Sequence, residues 1–180
     1  FKEGQREKGL TIDFIDIRRA YLHAIARRRV FVKLPPEDDE PGMCGLLMKS
    51  MYGTRDAGAR WEECYTTALQ KLGFQQGRAS GCCFHNASRE LKCVVHGDDF
   101  TVLGTDDELE WFRKEFANVF DIRYRGVLGL EEGDLHEIRI LNRIVRWTPL
   151  GLEYEANQRH AELVVQRLEL EHASAVSTPG

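Results

Sequence analysis

Two adjacent carboxylates, Asp98 and Asp99, stand between apolar stretches in the run VVHGDDFTVLG. Gly97 in front of them suits the first central position of a type II′ hairpin turn, where φ must be positive. The pair is therefore expected at a turn tip. Carboxylates are hard oxygen donors, and a pair at a hairpin tip can grip a divalent cation if a third arrives from elsewhere. A candidate third is Asp16, which follows the stretch LTIDFI, where Leu10, Ile12 and Phe14 alternate with Thr11, Asp13 and Ile15. Continued, the alternation puts Asp16 on the Phe14 face, where a carboxylate is costly to bury unless it is paired, coordinated or at an open strand end. Each motif also has a plainer reading. GDD makes a good turn, Asp at a strand-to-helix junction makes a good N-cap, and Tyr21 makes a good core residue.

Convergence of these residues depends on the elements between them. RVFVKLPP reads as a short strand stopped by Pro35 and Pro36. From Ala57, helical spacing puts Trp61, Tyr65, Ala68, Leu69 and Leu72 on one side, with Gly73 placed to end the helix in a left-handed cap. The run TDDE, Thr105 to Glu108, reads as a capping box, and Leu109, Phe112, Phe116 and Val119 continue as an amphipathic helix. Short strands are expected at FDIRY, HEIRIL and RIVRW, and a last helix from Asn157 carrying Ala161, Val164, Val165 and Leu168. The order is βαββαβ, an α+β fold with an antiparallel sheet and helices on one face. In such a sheet the first and third strands lie side by side, so Asp16 and Asp98 can meet although 98 − 16 = 82 positions separate them.

Bulk properties narrow the field. The 180 residues are 42% hydrophobic and 30% charged, the balance of a folded globular chain rather than a disordered tail. No run approaches the roughly 18 apolar residues of a membrane span, and no membrane partner is expected. The chain opens on Phe, which reads as an internal segment of something longer. Five cysteines without paired C-x-x-C spacing suggest neither a disulfide framework nor a zinc site. A net charge of −4 argues against a wholly basic surface but leaves room for a local one, because Arg18, Arg19, Arg27, Arg28, Arg29 and Lys33 cluster near the start.

The order of DIRRAYLHA, VFVKLPPE, KSMYGTRDAGARW, KLGF, VHGDDF and the terminal STP resembles the reverse transcriptase of copia-type long-terminal-repeat retrotransposons, the pseudoviruses. The resemblance covers nearly the whole chain and implies a right-hand polymerase, with residues 1–150 as palm and 151–180 as the start of the thumb. It implies two-metal phosphoryl transfer with two Mg²⁺ ions, bridged by Asp16 and Asp98, with the Ile17 backbone carbonyl as a further ligand and Asp99 in a supporting part. Tyr21 matches the family's bulky aromatic beneath the incoming sugar, which collides with a 2′-hydroxyl and so selects deoxynucleotides. KSMYGTRDAGARW corresponds to the family's template and nucleotide loop, in which Gly53 allows close approach to the base pair, Arg55 and Arg60 touch phosphates and Trp61 anchors the next helix.

The implied partners are an RNA template, a DNA or RNA primer, deoxynucleoside triphosphates and other parts of a retroelement polyprotein, in intracellular, cytoplasmic particles. The sequence departs from the family in having Ala57-Gly58 for its usual Ala-Pro, and His96-Gly97 for its usual Tyr-Val before the two aspartates. His96 reads as a strand residue rather than a ligand. Two other readings stay open: a catalytically dead nucleic-acid-binding remnant, and an unrelated α+β interaction domain.

Overall fold

A computed structural model describes residues 9–141, 143–155 and 158–173, which form two compact units that divide between Val127 and Leu128. The first unit opens with β1 (Thr11–Ile17), a single helical turn α1 (Ala20–His23), and a small two-stranded hairpin of β2 (Phe31–Val32) and β3 (Gly45–Leu46). Helix α2 (Ala57–Lys71) follows, then β4 (Gln75–Gln76), β5 (Cys83–Asn86), β6 (Leu91–His96), β7 (Asp99–Gly104), helix α3 (Asp106–Ala117) and β8 (Ile122–Leu128). The six-stranded sheet has the order β4-β5-β6-β7-β1-β8. Its elements β1, α2, β6, β7, α3 and β8 run in the expected βαββαβ sequence, and β1 pairs antiparallel with β7. The fold is α+β with a mostly antiparallel sheet.

Alternation along the strands decides which face is covered. Ile15 and Ile17 of β1, Cys93 and Val95 of β6, and Phe100 and Val102 of β7 share one buried cluster with Trp61, Tyr65 and Leu69 of α2 and Leu109, Phe112 and Phe116 of α3. Both helices therefore lie on one face. Complete burial of each such large side chain contributes on the order of 1.5–3 kcal/mol. The residues between them in the strands, Asp16, Asp99 and Thr101 among them, project to the other face.

The alternation carries a correction. The core face of β1 is that of Asp13, Ile15 and Ile17, so the carboxylate that is truly buried is Asp13, whose side chain is 0% exposed. It survives there because Arg113 of α3 donates to it at 2.5 Å. Burial raises the Asp13 pKa, and the guanidinium opposes that rise without cancelling it.

Helix α2 ends as expected. Gly73 takes φ +86°, its N–H donates to the Gln70 carbonyl, and the Phe74 N–H reaches back to Leu69, the paired bonds of a Schellman cap. The capping box at α3 does not form. Thr105 occupies the N-cap position without a side-chain cap bond; the Glu108 carboxylate goes to Arg89 at 2.6 Å and Asp106 accepts from the Thr11 hydroxyl at 3.0 Å. Helix α3 stops at Ala117, and Val119 is 51% exposed rather than part of the apolar stripe.

The second unit holds a three-stranded antiparallel sheet of β9 (Glu137–Ile140), β10 (Arg143–Thr148) and β11 (Gly151–Glu155), in the order β11-β10-β9, and helix α4 (Gln158–Arg167). Arg146 on the central strand bonds Glu137 at 2.9 Å and Glu155 at 2.5 Å, tying the outer strands to it. The expected start of the last helix at Asn157 lies outside the described residues. Among the described residues no helix is long and apolar enough to cross a membrane.

Candidate active site

Asp16 is the penultimate residue of β1 and is not a helix cap. The turn α1 is capped instead by Arg19, in the left-handed region at φ 55°. Across the sheet, Asp16 is the direct partner of Asp99, the first residue of β7. Asp98 lies in the turn that joins β6 to β7, and its carbonyl accepts from the Ile17 N–H at 3.0 Å. Gly97 has φ +63° and Asp98 is not among the residues of positive φ, so the turn belongs to the II′ rather than the I′ class.

Asp16 feels the charge of the other two carboxylates. The Asp16 pKa is raised, first by burial and then by the charges of Asp98 and Asp99, while Arg123 and Arg125 pull it back. Those two arginines are two positions apart on β8, the strand on the other side of β1. Arg125 reaches across β1 to Asp99 at 3.2 Å, so an ion pair spans the strand that carries Asp16. His96 is exposed and pairs in register with Asp99.

Carboxylate oxygens are the hard donors that divalent cations such as Mg²⁺ take. Asp16, Asp98 and Asp99 stand at one end of the β7–β1 pair, and the repulsion that Asp16 meets there is of the kind a cation relieves. Among the described residues no group of three or more His, Cys, Asp or Glu side chains is gathered tightly enough to hold a metal ion. The arrangement is thus a set of donors with Asp99 held by Arg125, not a closed cage.

The other sequence-predicted residues lie around the loop before α2. Tyr21 is half-buried, and its ring meets Tyr52 edge-on with centroids 4.4 Å apart. Gly53 adopts φ +84° in open space, with nothing within 4 Å of where a Cβ would sit. Arg55 is exposed, without a hydrogen-bond or ion-pair partner shown among the described residues. Arg60 is mostly covered and committed to Glu63 at 2.7 Å, while Glu63 also takes Arg27. Arg60 is therefore a less available phosphate contact than Arg55. Ile17 has its side chain in the core, leaving only its backbone to face the site.

Two features had not been expected from the sequence. Trp61 is buried at 2% exposure and donates its indole N–H to the Gly97 carbonyl at 2.7 Å. Arg123 and Arg125 supply the positive charge beside the carboxylates. Their spacing of two, in a run read as a strand, already places them on one face, whereas nothing local ties Trp61 to Gly97.

Residues 5–145 match the family described as Reverse transcriptase (RNA-dependent DNA polymerase). The chain is 21% identical over 181 residues to the Retrovirus-related Pol polyprotein from transposon TNT 1-94 of Nicotiana tabacum, covering 94% of this chain and 13% of that protein. It is 30% identical over 159 residues to the Transposon Ty1-DR1 Gag-Pol polyprotein of Saccharomyces cerevisiae, covering 84% of this chain and 9% of that protein. The chain thus spans a small part of the relatives it matches. It belongs to the reverse transcriptase family, and its likeness to transposon Pol polyproteins bears out the copia-type resemblance carried by its motifs.

Proposed function

We propose that this chain is the palm segment of an RNA-directed DNA polymerase, which adds deoxynucleotides to a primer on an RNA template within a retrotransposon polyprotein. The observation that carries the reading is the register of β1 against β7, which sets Asp16 directly opposite Asp99 with Asp98 in the adjoining turn. By the resemblance, residues 1–150 would be the palm and 151–180 the start of a thumb. Cytoplasmic particles are the proposed setting, by likeness to transposon polyproteins.

Asp16 and Asp98 would hold two Mg²⁺ ions, with the Ile17 carbonyl as a further ligand and Asp99 in support. Bound there, the ions would supply Lewis acidity to the attacking primer hydroxyl and neutralise charge on the triphosphate. The chain's own residues do the positioning. Asp16 bears a charge made costly first by burial and then by Asp98 and Asp99, a cost that a bound cation would relieve. Arg125 holds Asp99 while no cation competes for it. Tyr21, braced by Tyr52, would lie under the sugar and exclude a 2′-hydroxyl. Gly53 would let the backbone approach the nascent base pair, and Arg55 would meet phosphate, with Arg60 in a lesser part.

The test is Mg²⁺-dependent primer extension by the longer Pol protein containing this segment, with Asp98→Asn beside it; the segment alone is expected to turn over little. Extension that disappears in the variant supports the reading. Extension equal in both rejects the role of Asp98. Template binding without extension by the unsubstituted protein favours the dead remnant.

A further inference from the structure

The geometry points to Trp61 as a positioning residue for the metal-binding turn, a role separate from its packing in the core; this rests on the polymerase reading above. Trp61 lies in the second turn of α2, its rings set edge-on against Tyr65, at 5.4 Å between centroids, and Phe120, at 5.1 Å. Packing alone asks only for a large apolar side chain. A buried indole N–H left without an acceptor is costly, and here it is directed at the carbonyl of Gly97, at 2.7 Å. That carbonyl belongs to the first central residue of the turn bearing Asp98 and Asp99.

The same turn is held from its other side. The Ile17 N–H donates to the Asp98 carbonyl at 3.0 Å, directly after Asp16. Two successive carbonyls of the turn are thus fixed, one by a helix and one by the end of β1. Beyond the strand pairing of His96 with Asp99, the tip is open: His96, Gly97 and Asp98 are all exposed, and no neighbour stands within 4 Å of a Cβ built on Gly97. With the Trp61 bond removed, Asp99 keeps its strand pairing and its Arg125 partner, while Gly97 loses its anchor and the Asp98 carboxylate next to it is held only through the Ile17 bond to its own carbonyl. Reacting groups misplaced by about 1 Å cost on the order of a hundredfold in rate, so even partial loosening is measurable.

Replacement by Ala or Phe would also open a cavity. The informative variant is therefore an isosteric analogue, benzothienylalanine at position 61, in which sulfur replaces the indole N–H. It is made in the longer Pol protein and compared with the unsubstituted protein and with Asp98→Asn. The expected result is a kcat about tenfold lower, a half-saturating Mg²⁺ concentration severalfold higher, an unchanged KM for deoxynucleotide and an unchanged melting temperature. Mn²⁺ binding without nucleotide, followed by electron paramagnetic resonance, is expected to weaken severalfold as well.

Wild-type kcat and Mn²⁺ affinity in the analogue would overturn the inference. So would a lowered melting temperature with kcat per folded molecule and metal affinity unchanged, which is the signature of packing alone. If the unsubstituted protein extends primers and Asp98→Asn does not, the polymerase reading stands whatever the analogue does. If the unsubstituted protein fails to extend, or Asp98→Asn extends equally, that reading falls and takes this inference with it.

Discussion

Replacing Asp16 by Asn should make the protein more stable without metal while abolishing its activity. Asp16 and Asp99 are direct partners across antiparallel strands, and like charges so placed destabilise by roughly 0.2–1 kcal/mol. The Asp98 charge adds to this, while Arg123 and Arg125 offset part of it. The net gain expected for Asp16→Asn at neutral pH is about 1 kcal/mol, or roughly 2–4 °C in melting temperature for a chain of this size.

The pH dependence has a definite sign. The folded-state pKa of Asp16 is raised, so the folded form favours its proton. Its contribution is fully present below the ordinary carboxylate value of 3.8 and is lost as pH rises through the higher folded value. The advantage of Asp16→Asn should therefore be small in acid and grow toward neutrality. Mg²⁺, which relieves the same repulsion, should stabilise the unsubstituted protein more than the variant. Thermal melts followed by circular dichroism from acid to neutral pH, with chelator and with Mg²⁺, read all of this. An Asp16→Asn protein no more stable than its parent in chelator, or one stabilised equally by Mg²⁺, would refute the reasoning.

Other perturbations separate scaffold from site. Arg113→Met leaves Asp13 buried without its cation and should cost about 3 kcal/mol, the low end for a broken buried pair because Arg113 is partly exposed; urea denaturation checks it, and a cost under about 1 kcal/mol would contradict it. Gly97→Ala places a Cβ on a residue at φ +63° and should cost about 1–2 kcal/mol, with a larger loss of primer extension than of stability. Tyr21→Ala should admit ribonucleotides in single-nucleotide incorporation, and an unchanged sugar preference would count against the stacking role.

Much of this architecture was legible because it rests on periodicity and turn chemistry. The spacing of Trp61, Tyr65 and Leu69 makes α2, and Gly73 ends it. Gly97 makes the hairpin, and the order of elements then brings β1 beside β7. What escaped depends on partners distant in sequence. In LTIDFIDI the apolar residues fill both faces of β1, so alternation does not say which face is the core, and nothing local shows that Asp13 is buried against Arg113. The strands β4, β5 and β11 are short or polar and carry little pattern. TDDE has the spacing of a capping box, but the Glu108 carboxylate pairs with Arg89, 19 positions away, a partner that local spacing does not reveal. The pairing of Arg125 with Asp99 requires knowing that β8 lies on the far side of β1.

A divalent ion bound at the end of β1 is the feature on which the polymerase reading depends. Crystals of the protein soaked in Mn²⁺ and measured at the manganese absorption edge should show anomalous density within ligand distance of both the Asp16 and Asp98 carboxylates, with Asp99 released from Arg125 or shared. Manganese bound at other acidic positions, with none between β1 and the Gly97 turn, would contradict it.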